Sequence, residues 1–356
     1  MQNPDKIAII EFDNSHDELI YSQVKFLNAF NISPHLIINH NIEKRLGFLK
    51  GLSQFKTFTP SKDFLRRIKI IRDIFQYIRM NKITKIILNS AHGILVRDFC
   101  LMAPRDIEII GVLHYVDKLT NSFTQKLISS RVKKYFVLND YLLHLIKSAR
   151  QKEFRSFYPI YFNSFNKIQT DKTNEEIWIT IPGPIEFLKR DYPGLFDNIK
   201  TLSTKIKFIF LGRADTEDGK LLKSILVERG LINHSIFFDG FIDWDTFLSY
   251  MSDSDIIMPL IHPSNPRFED YQSKHISGSF NLSFGLGIPM LIHKSFSDKS
   301  DFQISSVFYS LYELQDILND FPADRTKLLD IKRNILSYPK FSFEYQSQNY
   351  IDFLNK

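Results

Sequence analysis

The sequence predicts an α/β protein with two doubly wound parallel-sheet domains. Its 356 residues are about twice the usual length of one domain, and 44% of them are hydrophobic against 24% that are charged. Short apolar runs typical of buried strands alternate along both halves with segments of helical periodicity. Parallel strands need such crossover helices, so each half is expected to form its own sheet.

The first half starts as a β–α–β unit, with a strand over 6–12, a helix over 19–30 and a strand over 34–39. The same patterns predict further strands at 85–89, 107–113 and 133–138 and helices at 64–80, 122–130 and 141–152.

A polar segment at 166–176 suits a linker, so the domains are expected to span 1–168 and 169–340, with a final helix within 341–356 that packs back on the first domain. The second half predicts strands at 177–181, 207–211, 235–239, 255–260 and 289–293 and helices at 192–202, 219–228, 244–251 and 278–286.

Composition excludes several classes of protein. No run approaches the roughly 18 apolar residues of a membrane span, and residues 1–5 lack the features of a secretory signal, so the expected location is the cytoplasm. The single cysteine, Cys100, can form neither an internal disulfide nor a multi-thiolate zinc site and is interpreted as a buried apolar residue.

The net charge of +6 is unevenly distributed. Residues 1–170 hold 26 Lys and Arg against 14 Asp and Glu, whereas the remainder holds 20 against 26. A basic half fits nucleic acid, anionic lipid or a phosphorylated substrate, or simply a solvated surface. The acidic second half and the lack of interleaved basic and aromatic motifs argue against nucleic acid.

Ligands of open α/β sheets bind at the carboxyl ends of the strands. Nine of the 13 glycines fall in 183–287, and two predicted strands there end in glycine and basic residues. Gly183 is followed by Lys189 and Arg190, and Gly212 by Arg213. These cations suit phosphate oxygens, although solvated cations at turns would give the same pattern.

A third loop carries the strongest signal. Ser277, Gly278 and Ser279 stand where a helix begins, and Lys274 precedes them. Small residues with free backbone amides at a helix start favour an anion, although Ser-Gly-Ser is also a common capping sequence. Together the three loops predict a phosphate site.

The runs GFIDWDTFLSYMSDSDIIMPLI (240–261), YQSKHISGS (271–279) and FGLGIP (284–289) resemble the nucleotide-sugar domain of GT-B glycosyltransferases, especially the group-1 or GT4-like type. The resemblance implies two Rossmann-like domains facing a cleft, independence of metals and other cofactors, and a sugar nucleotide as substrate. It also implies that the donor diphosphate is bound by the basic and small residues of the three loops, namely Gly183, Lys189, Arg190, Arg213, Lys274, Ser277, Gly278 and Ser279.

The chain departs from the group-1 pattern at two positions. That pattern has two glutamates eight residues apart before the G-x-P turn, and Lys274 and Leu282 stand there instead. The resemblance therefore implies a divergent branch. Asp253-Ser254-Asp255 matches a metal-binding D-x-D pattern, but it precedes a strand, at the wrong end of the sheet for ligands, and no metal site is predicted.

Three histidines follow predicted strands in the first half. They are His16, His92 and His114, and histidine is a suitable general base for removing the proton of an acceptor hydroxyl. His16, adjacent to Asp17, and His114 are favoured over His92, although a lone histidine is more often structural.

These observations predict a glycosyltransferase that moves a sugar from a nucleotide diphosphate to a glycan or lipid-linked glycan, in polysaccharide or glycolipid synthesis. Peripheral contact with anionic lipid at the inner membrane face is expected from the basic half. A nucleotide-sugar epimerase and a non-catalytic sugar-nucleotide-binding protein stay open as alternatives.

Overall fold

The computed structural model describes residues 6–47, 49, 54–146 and 151–356. The chain divides into two compact units, Met1–Asn163 with Phe343–Lys356, and Ser164–Ser342. Each unit contains one parallel sheet with its helices, which confirms the predicted α/β class. The polar segment 166–176 belongs to the second unit, where the amide of Asn166 donates to Asp245 Oδ1 at 3.0 Å.

The first sheet is formed, within the described residues, by seven strands: β1 (Ile7–Glu11), β2 (His35–Asn39), β3 (Phe55–Phe58), β4 (Lys85–Leu88), β5 (Glu108–Leu113), β6 (Lys134–Leu138) and β7 (Glu153–Phe157). They lie in the order β3-β2-β1-β4-β5-β6-β7, and every neighbouring pair is parallel. The helices of this part are α1 (Glu18–Asn28), α2 (His40–Glu43), α3 (Phe64–Met80), α4 (Ile94–Met102), α5 (Lys118–Asn121), α6 (Phe123–Arg131) and α7 (Asp140–Leu145).

The second sheet is formed by β8 (Ile177–Pro182), β9 (Ile206–Arg213), β10 (Ser235–Phe238), β11 (Ile256–Ile257), β12 (Met290–His293) and β13 (Ser306–Tyr309). These strands are also parallel and lie in the order β10-β9-β8-β11-β12-β13. The helices of this unit are α8 (Tyr192–Phe196), α9 (Glu217–Glu228), α10 (Trp244–Asp253), α11 (Phe268–Ser273), α12 (Gly278–Leu286), α13 (Ser300–Ser305), α14 (Leu314–Asp320) and α15 (Thr326–Ser337).

The last helix, α16 (Phe343–Leu354), returns to the first unit. The Tyr350 hydroxyl donates to Gln23 Oε1 of α1 at 2.9 Å, and its ring stacks on Phe136 of β6 with centroids 4.4 Å apart. The buried apolar face of α16 thus completes the core of the first unit.

Two predicted elements of the second unit are wrong in length. The helix expected over 192–202 ends at Phe196, where the Asn198 side-chain amide donates to the Gly194 carbonyl at 2.8 Å and takes the acceptor that a longer helix would use. The strand expected over 255–260 is reduced to Ile256–Ile257, because Pro259 cannot donate to a ladder and Leu260 has a φ of +55°.

Other elements were missed or differ in the first unit. The short strands β3 and β7 and the helix α4 were not predicted, nor was β13 in the second unit. The helix expected over 141–152 ends at Leu145, and residues 147–150 of that prediction lie outside the described residues.

Candidate functional site

The ends of β8 and β9 approach each other closely enough to require glycine. The Gly183 amide donates to the Leu211 carbonyl at 2.9 Å, and Gly183 has a φ of +95°. A Cβ atom built on Gly212 would lie 2.2 Å from the Gly183 carbonyl oxygen. Gly183 and Gly212 are therefore required because a side chain at either position would be strained or would clash, and both lie at the ligand-binding edge of the sheet.

A cavity of about 540 Å³ lies at this edge. Phe241 belongs to its wall and is 81% exposed, and Arg213 donates from Nε and Nη2 to Asp215 at 2.9 and 2.7 Å. The lining consists of Gly183, Pro184, Ile185, Glu186, Leu211, Gly212, Arg213, Thr216, Glu217, Asp218, Phe241, Ile242 and Phe247. This combination of an exposed ring, an arginine and two glycines can hold a flat, polar ligand.

Arg190 lies beside this cavity but its donors are used within the protein. Nε donates to the Pro184 carbonyl at 3.3 Å, Nη1 to the Pro259 carbonyl at 3.2 Å, and Nη2 to the Pro182 carbonyl. The guanidinium thus joins the loops that follow β8 and β11. The neighbouring Lys189 pairs with Glu186 at 2.8 Å on the surface.

The third predicted loop begins α12 as the sequence indicates. Ser277 is the N-cap and accepts from the Ser279 amide at 3.4 Å, and nothing lies within 4 Å of a Cβ built on Gly278. Lys274 donates to Asp270 at 2.6 Å. In the first turns of α12, the buried Asn281 Oδ1 has no hydrogen-bond partner among the described residues.

The structure therefore brings only some of the predicted donor residues together. Gly183, Gly212 and Arg213 share the cavity, and Arg190 touches its edge, since its Nη2 lies 3.0 Å from a Cβ built on Gly183. Lys274 and residues 277–279 are not among the residues that line it.

A buried network that the sequence analysis missed supports the loop after β11. His262, fully buried, lies 2.9 Å through Nδ1 from Asp191 Oδ2 and 2.5 Å through Nε2 from the Tyr309 hydroxyl. Burial opposes ionisation of Asp191, but hydrogen bonds from His262, Ser264 and the Gly194 amide outweigh it and lower its pKa to about 2. These residues are too far apart in sequence for any local pattern to reveal the contact.

The two aspartates of the D-x-D pattern are held by lysines. Asp253 pairs with Lys167 at 2.7 Å and Asp255 with Lys172 at 2.6 Å. Asp255 also accepts from the amide of Trp178 at the beginning of β8, which confirms its place at the amino end of the sheet.

In the first unit, the three histidines come together. His16, His92 and His114 follow β1, β4 and β5, three adjacent strands whose carboxyl ends meet. The ring centroids of His16 and His114 are 3.6 Å apart, and that of His92 lies 6.4 and 6.2 Å from them.

The stacked pair contains one neutral and one readily protonated ring. His114 is buried and donates from Nε2 to the Asn89 carbonyl at 2.8 Å. Burial, reinforced by the charge of His16, lowers the pKa of His114 well below its usual value. Burial also opposes protonation of His16, but the carboxylates of Glu18, Glu11 and Asp13 outweigh it, so the pKa of His16 is raised.

Asp17, the third predicted catalytic residue, pairs with Arg45 at 3.0 Å. Burial raises the pKa of Asp17, and Glu18 adds to this effect. Asp17 therefore lies beside the histidines but with its charge already partnered.

Glu11 is a functional candidate that was missed. This fully buried carboxylate accepts from Asn89 Nδ2 at 2.6 Å, from Ser90 Oγ at 2.7 Å and from the Asp13 amide at 2.6 Å. Burial raises its pKa to about 7. A carboxylate inside the apolar run IAIIEF was the available signal.

A second cavity, of about 580 Å³, lies next to this cluster within the first unit. His92 lines it and its Nε2 is 3.5 Å from Asp13 Oδ2, whereas His16 and His114 do not line it. The hydrogen bond from His92 lowers the pKa of Asp13 to about 2. The lining comprises Phe12, Asp13, Asn14, Asn39, Pro60, Ser61, Lys62, Arg67, Ser90, His92, Gly93, Ile94, Leu95 and Val96.

The described residues contain neither a candidate membrane span nor a candidate metal site. No helix there is long and apolar enough to cross a bilayer. No group of three or more His, Cys, Asp or Glu side chains there is arranged to hold a metal ion.

No protein-family model and no curated protein sequence matches the chain. Solved structures do match along its whole length. Anabaena HepE in complex with UDP and glucose superposes with a TM-score of 0.70 at 12% identity, covering 99% of both chains. The lipopolysaccharide outer core galactosyltransferase WaaB gives 0.60 at 14% identity over 98% of this chain and 99% of its own.

A candidate UDP-N-acetylglucosamine 2-epimerase from Listeria monocytogenes also matches, with a TM-score of 0.60 at 8% identity over 99% of this chain and 96% of its own. At these identities the likeness concerns the fold. The chain has the GT-B fold of two Rossmann-like domains, which glycosyltransferases and this epimerase candidate share.

Proposed function

We propose that this protein is a glycosyltransferase of a divergent, group-1-like branch that moves a hexose from a nucleotide diphosphate to an acceptor hydroxyl. The observation that carries the proposal is the cavity at the ends of β8 and β9, with Phe241 and Arg213 in its wall. It lies at the ligand-binding edge of a sheet whose fold accommodates UDP and glucose in HepE.

The donor is assigned to the second unit. The exposed Phe241 ring offers a stacking surface for the nucleobase, and Arg213, whose Nε and Nη2 bind Asp215, offers Nη1 to ribose or phosphate oxygens. The start of α12, with Ser277 and Lys274 near it, supplies amides and charge for the diphosphate.

The chemistry is assigned to the histidine cluster. In the proposed step, an imidazole takes the proton of the acceptor hydroxyl. The hydroxyl oxygen bonds to the anomeric carbon of the donor sugar, and the bond from that carbon to the diphosphate breaks. His16 is the base, His114 fixes the ring of His16 by stacking, and Asp17 is the next candidate. Lys274 and the α12 amides stabilise the departing diphosphate, so no metal or other cofactor is proposed.

The acceptor is proposed to be a glycan or lipid-linked glycan at the cytoplasmic membrane face, as in polysaccharide or glycolipid synthesis. Helix α3 begins with Phe64 and Leu65, which are 58% and 75% exposed, next to the exposed Arg66 and Lys69. Exposed apolar side chains next to cations are suited to the surface of an anionic bilayer. No nucleic acid partner is proposed.

One experiment tests the proposal most directly. The full chain is incubated with UDP-, GDP- and TDP-sugars, and nucleotide-induced thermal stabilisation and donor hydrolysis are measured. We expect one nucleotide to raise the unfolding temperature and its sugar derivative to be hydrolysed slowly. Neither stabilisation nor hydrolysis with any donor would contradict the proposal.

An epimerase is the second candidate, because the Listeria protein shares the fold over nearly the whole chain. An epimerase converts its sugar nucleotide without a second substrate. If a glycan acceptor accelerates release of free nucleotide at least ten-fold, the transferase is supported. Conversion of the donor sugar without any acceptor would support the epimerase.

A further inference from the structure

The cavity of the first unit has a polar lining of two kinds. Asp13 and His92 contribute an acid–imidazole pair from the ends of β1 and β4. Lys62 and Arg67 contribute positive charge from the beginning of α3. A volume of about 580 Å³ is within the range of small-molecule sites, roughly 300–1,000 Å³.

Arg67 is held rigidly in the cavity wall. Its side chain is 13% exposed, Nε donates to Asp98 Oδ2 at 3.0 Å, and Nη1 donates to the Lys62 carbonyl at 2.5 Å. These two bonds fix the plane of the guanidinium. A fork fixed in this way loses little side-chain entropy when it binds an oxyanion.

The positive charge near Arg67 is only partly neutralised. Asp98 also accepts from Arg97, through Nε at 2.9 Å and Nη2 at 2.6 Å, so one carboxylate serves two guanidinium groups. A second carboxylate, Asp63, caps α3 by accepting from the Arg66 amide at 2.9 Å. Among these residues of the α3 and α4 region, Lys62, Arg67 and Arg97 exceed Asp63 and Asp98 by one charge, while the third carboxylate, Asp13, is paired with His92.

We infer that this cavity binds a phosphate ester of the acceptor, with Arg67 and Lys62 as its ligands. The inference rests on the proposed transferase function and names its substrate class. A phosphate accepts the planar fork of Arg67 together with the point charge of Lys62. Gly93 and Ile94, at the beginning of α4, line the same cavity, and the amides of a first helical turn have no acceptor within their own helix. The rest of the acceptor then lies toward His92 and Asp13.

Binding of inorganic phosphate is the direct test. Calorimetric titrations at constant ionic strength, with saturating UDP to occupy any donor site, compare the wild type with Arg67→Gln and Lys62→Gln. Arg72→Gln is the matched control, because Arg72 is an exposed cation of α3 that does not line this cavity. We expect each cavity variant to bind phosphate at least ten-fold more weakly and the control to match the wild type.

The outcomes are separable from those of the proposed function. Lack of phosphate binding by the wild type, or equal binding by both cavity variants, would overturn the inference even if UDP binds. Lack of UDP binding would count against the proposed function. The phosphate titrations would still show whether Arg67 and Lys62 bind phosphate. Lys62→Gln keeps the test informative if Arg67→Gln unfolds, because Lys62 is exposed.

Transfer assays distinguish the sources of the phosphate. The acceptors are a hexose, a hexose 1-phosphate in solution, and the same phosphate headgroup on a dialkyl chain in phosphatidylcholine vesicles. We expect at least one phosphorylated acceptor to have a KM ten-fold or more below that of the hexose, and Arg67→Gln to remove this advantage with little change in kcat. Equal use of the hexose would overturn the inference.

Discussion

The rings of His16 and His114 stack with centroids 3.6 Å apart and an interplanar angle of 24°. Two imidazoles at this distance resist carrying charge together, and the buried member is the one that stays neutral, because burial lowers the pKa of His114. The pair therefore presents one ring that is more easily protonated, that of His16, whose pKa is raised by the carboxylates around it.

Replacing His16 is expected to reduce turnover. His16→Ala should lower kcat by about a hundred-fold or more and leave nucleotide affinity unchanged, because a general base acts in the chemical step. The base must be neutral, so wild-type kcat should fall as the pH drops through the raised pKa of His16, beginning above pH 6.5. Steady-state rates across pH and calorimetry with UDP measure the two effects.

His40→Ala, a change of an exposed histidine on α2, is the control and should retain both kcat and its pH profile. His114→Ala should also lower turnover by removing the ring that supports His16. Normal turnover in both cluster variants would transfer the role of base to Asp17.

Glu11 should make the first unit less stable as the pH rises. Its pKa is about 7 in the folded chain against 4.5 for an ordinary glutamate, so the folded state binds more protons between these values. Stability must then fall as the pH increases from 4.5 to about 7, by on the order of 3 kcal/mol for this group. Urea unfolding of Glu11→Gln across this range should show a correspondingly weaker pH dependence.

The exposed carboxylate of Glu153 offers a control in the same unit, and Glu153→Gln should keep the wild-type dependence. Parallel curves for Glu11→Gln and the wild type would show that Glu11 is already ionised throughout.

Replacing Arg190 is expected to lower the stability of the second unit, whereas replacing Lys274 is expected to lower the affinity for the donor. Arg190→Ala leaves three backbone carbonyls without their donor and should destabilise the second unit by about 1–3 kcal/mol. Lys274→Ala should leave folding intact and weaken UDP binding about ten- to hundred-fold. Urea unfolding and calorimetry give both quantities, with Lys205→Ala as the surface control.

If Arg190→Ala folds normally and loses only UDP affinity, its guanidinium contacts the donor as the sequence predicts. Wild-type UDP affinity in Lys274→Ala would remove that lysine from the donor site.

Phe241 should contribute to nucleotide affinity by stacking. Phe241→Ala is expected to weaken UDP binding about ten-fold, since base–aromatic stacking is worth about 1–3 kcal/mol. Tyr312→Ala removes another exposed ring of the second unit, which does not line the cavity, and should bind UDP like the wild type. Equal affinities for the two variants would place the nucleobase elsewhere.

The sequence predicted the fold better than the site. Alternating apolar runs reveal buried parallel strands, and β1, β5 and β8 were found because nearly all of their residues are buried. The edge strand β3 was missed, since most of its side chains are partly exposed and give no buried-strand signal. The order of the strands in each sheet cannot be predicted from local sequence patterns, because it depends on packing between distant segments.

For the candidate sites, the ends of predicted strands located the three histidines that lie together, and small residues predicted the cap of α12. Side-chain partners were not predictable. Arg190 was expected to meet a ligand because its backbone position is favourable, yet its donors meet three carbonyls, one of them in a loop 69 residues away. The partner of Arg67 was not predictable either, because Asp98 lies 31 residues away in the sequence.

The tip of α3 is expected to bind anionic membranes. Phe64 and Leu65 can enter the interface while Arg66 and Lys69 face lipid headgroups, each cation near the surface contributing roughly 1 kcal/mol. Cosedimentation with phosphatidylglycerol vesicles should therefore exceed that with phosphatidylcholine vesicles and fall with salt. The double change Phe64→Ser and Leu65→Ser should weaken binding at least ten-fold, because it removes the apolar contribution. Met80, which is as exposed as Leu65 but lies at the other end of the same helix, is the control. Met80→Ser should bind vesicles like the wild type. If Met80→Ser loses as much binding as the double variant, the tip of α3 is not the membrane contact.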